Sequence, residues 1–497
     1  MSGGAEIDLE SGRATPVDLR APAPADTVPA TRRTSPGGAA TGDAAVLQSP
    51  FARKVAGVFG TQVGTFVLAF ASSILIAKLL SPDDKGVLVA VTTFPGMLAA
   101  LGMFGLPSAA NYFAGKGSSL ASLMRIAFLF TALLSIVLIG VVWFALPALE
   151  SSFMGAARGH DDMLRVIIFT LPLGMLAAFG GTILYGRQSV RFYNVIQLAQ
   201  AALSLVLAIY LIGVLGLGIW GGIWSSVIVS VLLAMAVLIA VWRLHKRDRS
   251  GPPASMRSLV SYGARVYPSS LTAYFNYRAD TYLIQALILS SKGPLGLYSL
   301  AVTMAEVVLY VPNSIGTIFL PRVAGSTLED ANQMVRRVSR LSVLLTILVA
   351  LALIPAAFVG VHFVLTKYVD CLPAFFVLLP GVVSLSVAKV MASYIAGRGR
   401  PGLISVVTSV ALVLNVALNL VLIPRFGIVG ASFSSLISYS AHAAMTLFIA
   451  SRLSGHSMLS LVVPGRAEVG LLIAGLQRLA GRVRRGAGAP SGSGGVR

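Results

Sequence analysis

Twelve stretches of about twenty predominantly apolar residues run along the chain, near 57–80, 87–112, 125–147, 163–184, 193–214, 217–241, 264–290, 295–320, 338–365, 372–395, 402–423 and 427–450. A helix of that length crosses roughly 30 Å of hydrocarbon. Inside lipid every backbone N–H and C=O needs an internal partner, so only helices and closed barrels span. The runs show no alternation of apolar and polar residues, which excludes a barrel. Only 11% of the 497 residues are charged, against about 25% in an ordinary soluble domain. So few charges cannot solvate soluble cores of this length, and a cytosolic enzyme or a disordered regulator is ruled out. A lone cysteine, Cys371, rules out a disulfide scaffold.

The net charge of +20 raises the question of nucleic acid, and the placement of the charges answers it. With the N-terminus taken as cytoplasmic, the inside loops up to Arg452 hold eighteen Lys and Arg. The outside hairpins and their edges hold six: Lys85, Arg158, Arg165, Lys292, Lys367 and Arg425. This positive-inside bias requires an even number of spans and places both termini in the cytoplasm. No nucleic-acid partner is expected. Residues 1–50 are rich in Pro, Ala, Gly and Thr and read as a disordered cytoplasmic leader without a signal-peptide core. Residues 453–497 form a basic tail whose weakly apolar patch (458–480) suits an interfacial segment drawn to anionic membrane lipids.

The chain also repeats itself. LLSPDDKGVL (Leu79–Leu88) corresponds to LSSKGPLGLY (Leu289–Tyr298), aligning Gly86 with Gly296 at an offset of 210. Gly218 aligns with Gly427 at 209, and Gly186-Arg187 with Gly397-Arg398 at 211. Six spans per half is an even number, so both halves enter the membrane in the same direction. The expected fold is twelve transmembrane helices in two six-helix bundles, related by a pseudo-two-fold axis along the membrane normal. The expected organisation is an N-terminal bundle over 51–242, a cytoplasmic linker over 243–263 and a C-terminal bundle over 264–452. A cleft between such bundles suits alternating access.

LNVALNLVLIPRFGIVGASFSSLIS (Leu414–Ser438) resembles the eleventh-to-twelfth-helix signature of the multidrug/oligosaccharidyl-lipid/polysaccharide exporter superfamily, within it the polysaccharide (Wzx-like) flippase branch. ADTYLIQALILSSKGPLGLYSLA (Ala279–Ala301) and the LLSPDDKGVL hairpin support the resemblance, which covers roughly 55–450. It implies twelve helices in two lobes and export of lipid-linked saccharides across a bacterial cytoplasmic membrane. A polysaccharide polymerase and a chain-length regulator are the further partners this reading brings. Arg278, two residues before Asp280, is not carried by the resemblance and has to be argued physically.

Charges inside membrane helices are costly and mark functional sites by default. The candidates are Lys78, Arg265, Arg278, Asp280, Glu306 and Lys389. At about 1.5 Å per residue, Arg278 lies about 21 Å along its helix, and Glu306 about 16 Å from the start of the next. With Asp280 they share a layer near the midplane. Lys78 and Arg265 read more readily as snorkelling side chains. Arg278 has two readings: a structural partner of Asp280 or Glu306, or a cationic group for the pyrophosphate of a polyprenyl-linked oligosaccharide. The expected substrate-binding set is Arg278, Lys389, Arg265, Asn276 and Tyr277. Asp280 and Glu306 are the expected coupling-ion groups, for H⁺ or Na⁺. Gln62, Gln197, Asn415 and Asn419 are further polar candidates, for which interhelical bonding is the more common role.

No enzyme is expected. GLGIWG (Gly216–Gly221) joins two apolar spans rather than following a soluble strand, so its dinucleotide reading fails. No phosphate-binding GxxxxGK[ST] is present, and the five histidines are scattered, so no catalytic group, metal or organic cofactor is expected. The favoured reading is a flippase for polyprenyl-pyrophosphate oligosaccharide feeding exopolysaccharide, capsule or O-antigen synthesis. Its rivals are a cation-coupled multidrug exporter, which would favour acidic cavity residues, a lipid II flippase, and a membrane glycan polymerase or ligase.

Overall fold

The computed structural model describes residues 50–152, 157, 159–248, 251–288, 291–465, 468 and 470. The expected leader before residue 50 and the arginine-rich end of the tail lie outside the described residues. The described chain is helical throughout: α1 (Pro50–Leu79), α2 (Pro82–Gly102, resumed as Leu106–Gly115), α3 (Leu120–Ser152), α4 (Asp161–Gly186), α5 (Val190–Val214), α6 (Gly218–Arg247), α7 (Met256–Leu287), α8 (Gly293–Ala324), α9 (Leu328–Val364) and α10 (Leu372–Gly397). One further element, Pro401–Ser454, is two helices joined at Gly427, whose φ of 58° and ψ of −136° break the helix. These are α11 (401–426) and α12 (428–454); a short α13 (Met458–Val462) follows.

Among the described residues, ten segments are long and apolar enough to cross a membrane, the paired α11 and α12 forming one of them. The segment that fails is α7, which carries Arg257, Arg265, Arg278 and Asp280 and is rich in Ser, Tyr and Asn. Its 32 residues nevertheless form a continuous helix packed among the others. The protein is thus multi-pass, and its most polar long helix packs against these segments.

Local chemistry explains the helix ends. Ser81 caps α2, its Oγ accepting from the Asp84 N–H at 3.1 Å, with Pro82 at the first position and Asp83 and Asp84 in the first turn. Thr327 caps α9 in the same way through the Asp330 N–H. Span two, expected unbroken over 87–112, is interrupted between Gly102 and Leu106, where Phe104 and Gly105 adopt φ of 46° and 68°. Lys85, counted as an outer-hairpin residue in the sequence, is instead buried in the first turn of α2. The hairpin is tighter than the sequence suggested, because the Ser81 cap starts the helix before the lysine.

The repeat is visible as packing. A Cβ on Gly86 would overlap the Lys292 carbonyl oxygen, and one on Gly296 the Pro82 carbonyl oxygen. Both pairs are related by the 210-residue offset, so the contact is self-complementary, as a two-fold axis demands. Gly221 meets Leu211 and Gly430 meets Leu422 within equivalent hairpins, and Gly186 and Gly397 pack on α2 and α8 respectively. The described residues from Lys54 onward form one compact unit.

Tyrosines of the second half stitch the seam. Tyr267 donates to the Leu101 carbonyl at 2.7 Å, Tyr282 to the Thr93 carbonyl at 3.2 Å and Tyr368 to the Leu80 carbonyl at 3.3 Å. Tyr262 stacks on Tyr112 with centroids 4.4 Å apart. Beyond α12, Arg340 of α9 donates to the Ser460 carbonyl at 2.6 Å and lies 3.9 Å from Glu468. The start of the expected interfacial tail is therefore docked on the bundle.

Gly296→Ala is expected to cost about 1–3 kcal/mol, the price of overpacking a filled contact. Gly140→Ala, where a Cβ meets nothing within 4 Å, should leave thermal unfolding in detergent unchanged. Equal melting of both variants would contradict a close Gly86–Gly296 seam.

Candidate functional site

The polar residues of α7 fall into two environments. Asp280 and Asn276 face inward and are buried, whereas Tyr277, Arg278 and Arg265 are exposed. Asn276 and Asp280, four residues apart, share the buried face of this helix.

Asp280 is held by three helices. Its carboxylate accepts from Tyr298 Oη of α8 at 2.8 Å, from Asn419 Nδ2 of α11 at 2.6 Å and from Ser435 Oγ of α12. Asn419 Nδ2 also donates to Asn415 Oδ1 at 2.9 Å, and Asn415 Nδ2 to Ser438 Oγ at 3.2 Å. The i, i+4 spacing of the two asparagines puts both on the face that reaches Asp280. Ser432, Ser434, Ser435 and Ser438 are fully buried on α12, and small residues there let the helices approach closely. Two buried acceptors remain unsatisfied, Asn276 Oδ1 and Asn419 Oδ1. Both asparagines of α11 are buried and bonded across helices.

Glu306 sits where α8 tightens into a 3₁₀ turn, Glu306–Leu309. It is half-buried and lines, with Asp280, Tyr277, Tyr298 and Tyr439, a cavity of about 10 Å³, about the space one water needs. Lys389 of α10 donates to Asn313 Oδ1 at 2.9 Å and lies 5.0 Å above the Tyr277 ring. The charges of Arg278 and Lys389 both act on the Glu306 carboxyl. Arg278 forms no ion pair with Asp280, whose described partners are all neutral. Arg265 donates to Ser261 of its own helix at 3.1 Å.

A larger cavity, about 510 Å³, lies between the halves. Thr61, Gln62, Thr65 and Phe66 of α1 and Tyr193, Asn194 and Gln197 of α5 form one wall; Tyr310 and Asn313 of α8 form the other. Asn313 connects it to Lys389. Phe66 and Tyr310 meet across it with centroids 3.8 Å apart. The structure therefore brings Asp280, Glu306 and Tyr277 to one small cavity and sets Lys389 at the edge of the large one. Arg265 stays apart. Sequence reasoning missed Tyr298 and Ser435 as partners of Asp280, and Asn313, Tyr193 and Tyr310 as cavity residues. Their signal is weak, since neutral side chains on apolar helices are ordinary until the fold gathers them.

Among the described residues no group of three His, Cys, Asp or Glu side chains converges as a metal cluster. Asn419→Ala should destabilise the second half by about 1–2 kcal/mol, because it strands a buried carboxylate oxygen. Asp280→Asn, which keeps the shape, should be better tolerated than Asp280→Ala in the same thermal unfolding assay.

Comparison with known proteins is consistent with this architecture. The "Probable low-salt glycan biosynthesis flippase" of Haloferax volcanii is 23% identical over 408 residues, 79% of this chain and 80% of that protein. The "Succinoglycan biosynthesis transport protein" of Rhizobium meliloti is 26% identical over 160 residues, 32% of this chain and 31% of that one. Among solved structures, the lipid II flippase MurJ in an inward closed conformation aligns over 81% of this chain and 88% of its own, with TM-score 0.68 and 12% identity. An inward-facing multidrug transporter of the MATE family aligns over 79% and 95%, with TM-score 0.60 and 14% identity. These two likenesses show a shared transporter fold. The family described as "Polysaccharide biosynthesis protein" matches residues 75–373, more than half of the sequence, and the chain belongs to that family.

Proposed function

We propose that the protein is a flippase that moves a polyprenyl-pyrophosphate-linked oligosaccharide from the cytoplasmic to the outer leaflet by alternating access, without catalysing a reaction. The observation that carries this reading is the roughly 510 Å³ cavity between the halves, walled by amide and aromatic side chains and edged by Lys389. Amides and aromatic rings suit sugar hydroxyls and pyranose faces. The exposed guanidinium of Arg278 suits a pyrophosphate, which it can bind with two parallel N–H donors. Asp280, by contrast, is buried and wrapped by donors. A cavity for cationic drugs would present its carboxylates to the guest, and this one has none in its lining.

The seam at Gly86–Gly296 is closed and the large cavity lies toward the other ends of α1 and α8. With cytoplasmic termini, this is an inward-facing state in a bacterial cytoplasmic membrane. Opening the Gly86 end and closing the other would expose the glycan outside while its lipid tail stays in the bilayer. Asp280 and Glu306 are the coupling groups in this scheme. The unsatisfied Asn276 and Asn419 oxygens beside them supply acceptors for Na⁺, and the carboxyls themselves suit H⁺. Carrying about two negative charges outward across 100 mV would contribute roughly 4.6 kcal/mol besides. A polymerase, a chain-length regulator and anionic lipids remain the proposed partners.

In proteoliposomes with a fluorescent polyprenyl-pyrophosphate oligosaccharide, Arg278→Ala is expected to slow flipping at least tenfold, and Arg278→Lys to keep part of the rate. Both variants should purify as wild type, since Arg278 supports no described ion pair. An Arg278→Ala rate equal to wild type would overturn the anion-binding role.

A further inference from the structure

The N half contains a second polar cavity, of about 250 Å³, between α1, α2, α5 and α6. These are the repeat partners of α7, α8, α11 and α12, the helices that surround Asp280. Ser226 lines it, and adding the 209-residue offset to Ser226 gives Ser435, which bonds Asp280. The two halves thus place equivalent polar chambers in equivalent positions, but with opposite contents. The C half is filled by a carboxylate and its donors. The N half holds Lys85, only 4% exposed.

Among the described residues the Lys85 ammonium has no hydrogen-bond partner. Its described neighbours include the Tyr368 ring, 5.5 Å from Nζ, and the Cys371 thiol. The rest of the polar lining is hydroxyl: Thr92 and Ser226 turn theirs back to the Leu88 and Gly222 carbonyls, which leaves Ser72, Ser73, Ser204 and Ser225 available to a guest. The lining contains no carboxylate. An ammonium offers three donors and no acceptor, and an isolated buried charge is costly until something compensates it. The chamber is far larger than the roughly 10–15 Å³ that one water needs, and far too small for a glycan.

We propose that this chamber is a binding site for a small inorganic anion of the halide class, held by Lys85 and the hydroxyls of α1 and α6. A bound halide neutralises the ammonium where it is buried, at the end of α2 that meets α8. It does for the N half what the Asp280 cluster does internally for the C half. The site is separate from the cavity between the halves and does not depend on the flippase reading.

The test uses the full chain in detergent, titrated with chloride and followed by ³⁵Cl NMR line broadening with bromide as competitor. Wild type should show saturable broadening that bromide removes. Lys85→Met, similar in length and able to fill the space, should weaken the apparent Kd at least tenfold while remaining monodisperse. Ser225→Ala keeps the lysine and should weaken it several-fold, which preserves the test if Lys85→Met fails to fold. Arg322→Gln, an exposed cation elsewhere, should leave the titration unchanged. Saturable broadening of equal size in Lys85→Met and Ser225→Ala, or none in wild type, would overturn the proposal and leave a water-filled chamber.

Discussion

The contact between Gly86 and Gly296 is the constraint on which the rest of the structure depends. Two helix starts approach so closely that each glycine faces the other helix's carbonyl, Lys292 on one side and Pro82 on the other. Lipid tails are as apolar as leucine, so burial alone gives helices little reason to associate, and close backbone approach at small residues takes over. The tyrosines that donate to the Leu80, Thr93 and Leu101 carbonyls extend this seam along α1 and α2. Each of those bonds crosses between halves. Small residues and single hydroxyl donors mark this seam, and buried apolar residues of both halves pack into one continuous core behind it.

Behind the seam the halves have diverged electrostatically while keeping one frame. The Asp280 cluster ties α7, α8, α11 and α12 together, and breaking any of its bonds would leave a buried polar group unpaired. Three irregular turns fall in helices that line the cavities: the break at Gly102–Leu106 in α2, the 3₁₀ turn at Glu306–Leu309 in α8 and the π turn over Ala208–Val214 in α5. Interruptions of this kind often mark hinges and functional positions.

The helical frame was legible in the sequence because lipid imposes a single rule on every span, so a run of twenty apolar residues reads the same wherever it occurs. The repeat was legible through Gly86, Gly218 and Gly427, positions where a side chain would collide or where φ is positive. Asp280 and Glu306 stood out for the same physical reason, the cost of charge in hydrocarbon. What escaped was neutral or local. Tyr298 and Ser435 differ little from other polar residues on apolar helices until three helices bring them to one carboxylate. Lys85 was misplaced because hairpin charges are normally solvated, and only the Ser81 cap and the closeness of Tyr368 reveal its burial. The α2 break at Phe104 and Gly105 leaves no mark on hydropathy, since both residues suit an apolar run.

Motion of the two halves about the Gly86–Gly296 seam is the claim that most needs a direct test. A Cβ at position 293 would stand 3.0 Å from the Asp83 carboxylate oxygen, so Asp83→Cys with Gly293→Cys, in a Cys371→Ser background, places two thiols within bridging reach. The measurement is the flipping rate of the oxidised and the reduced double variant in the same proteoliposomes. Oxidation should stop flipping and reduction should restore it. Undiminished flipping with the bridge intact would contradict a transport cycle that opens this end.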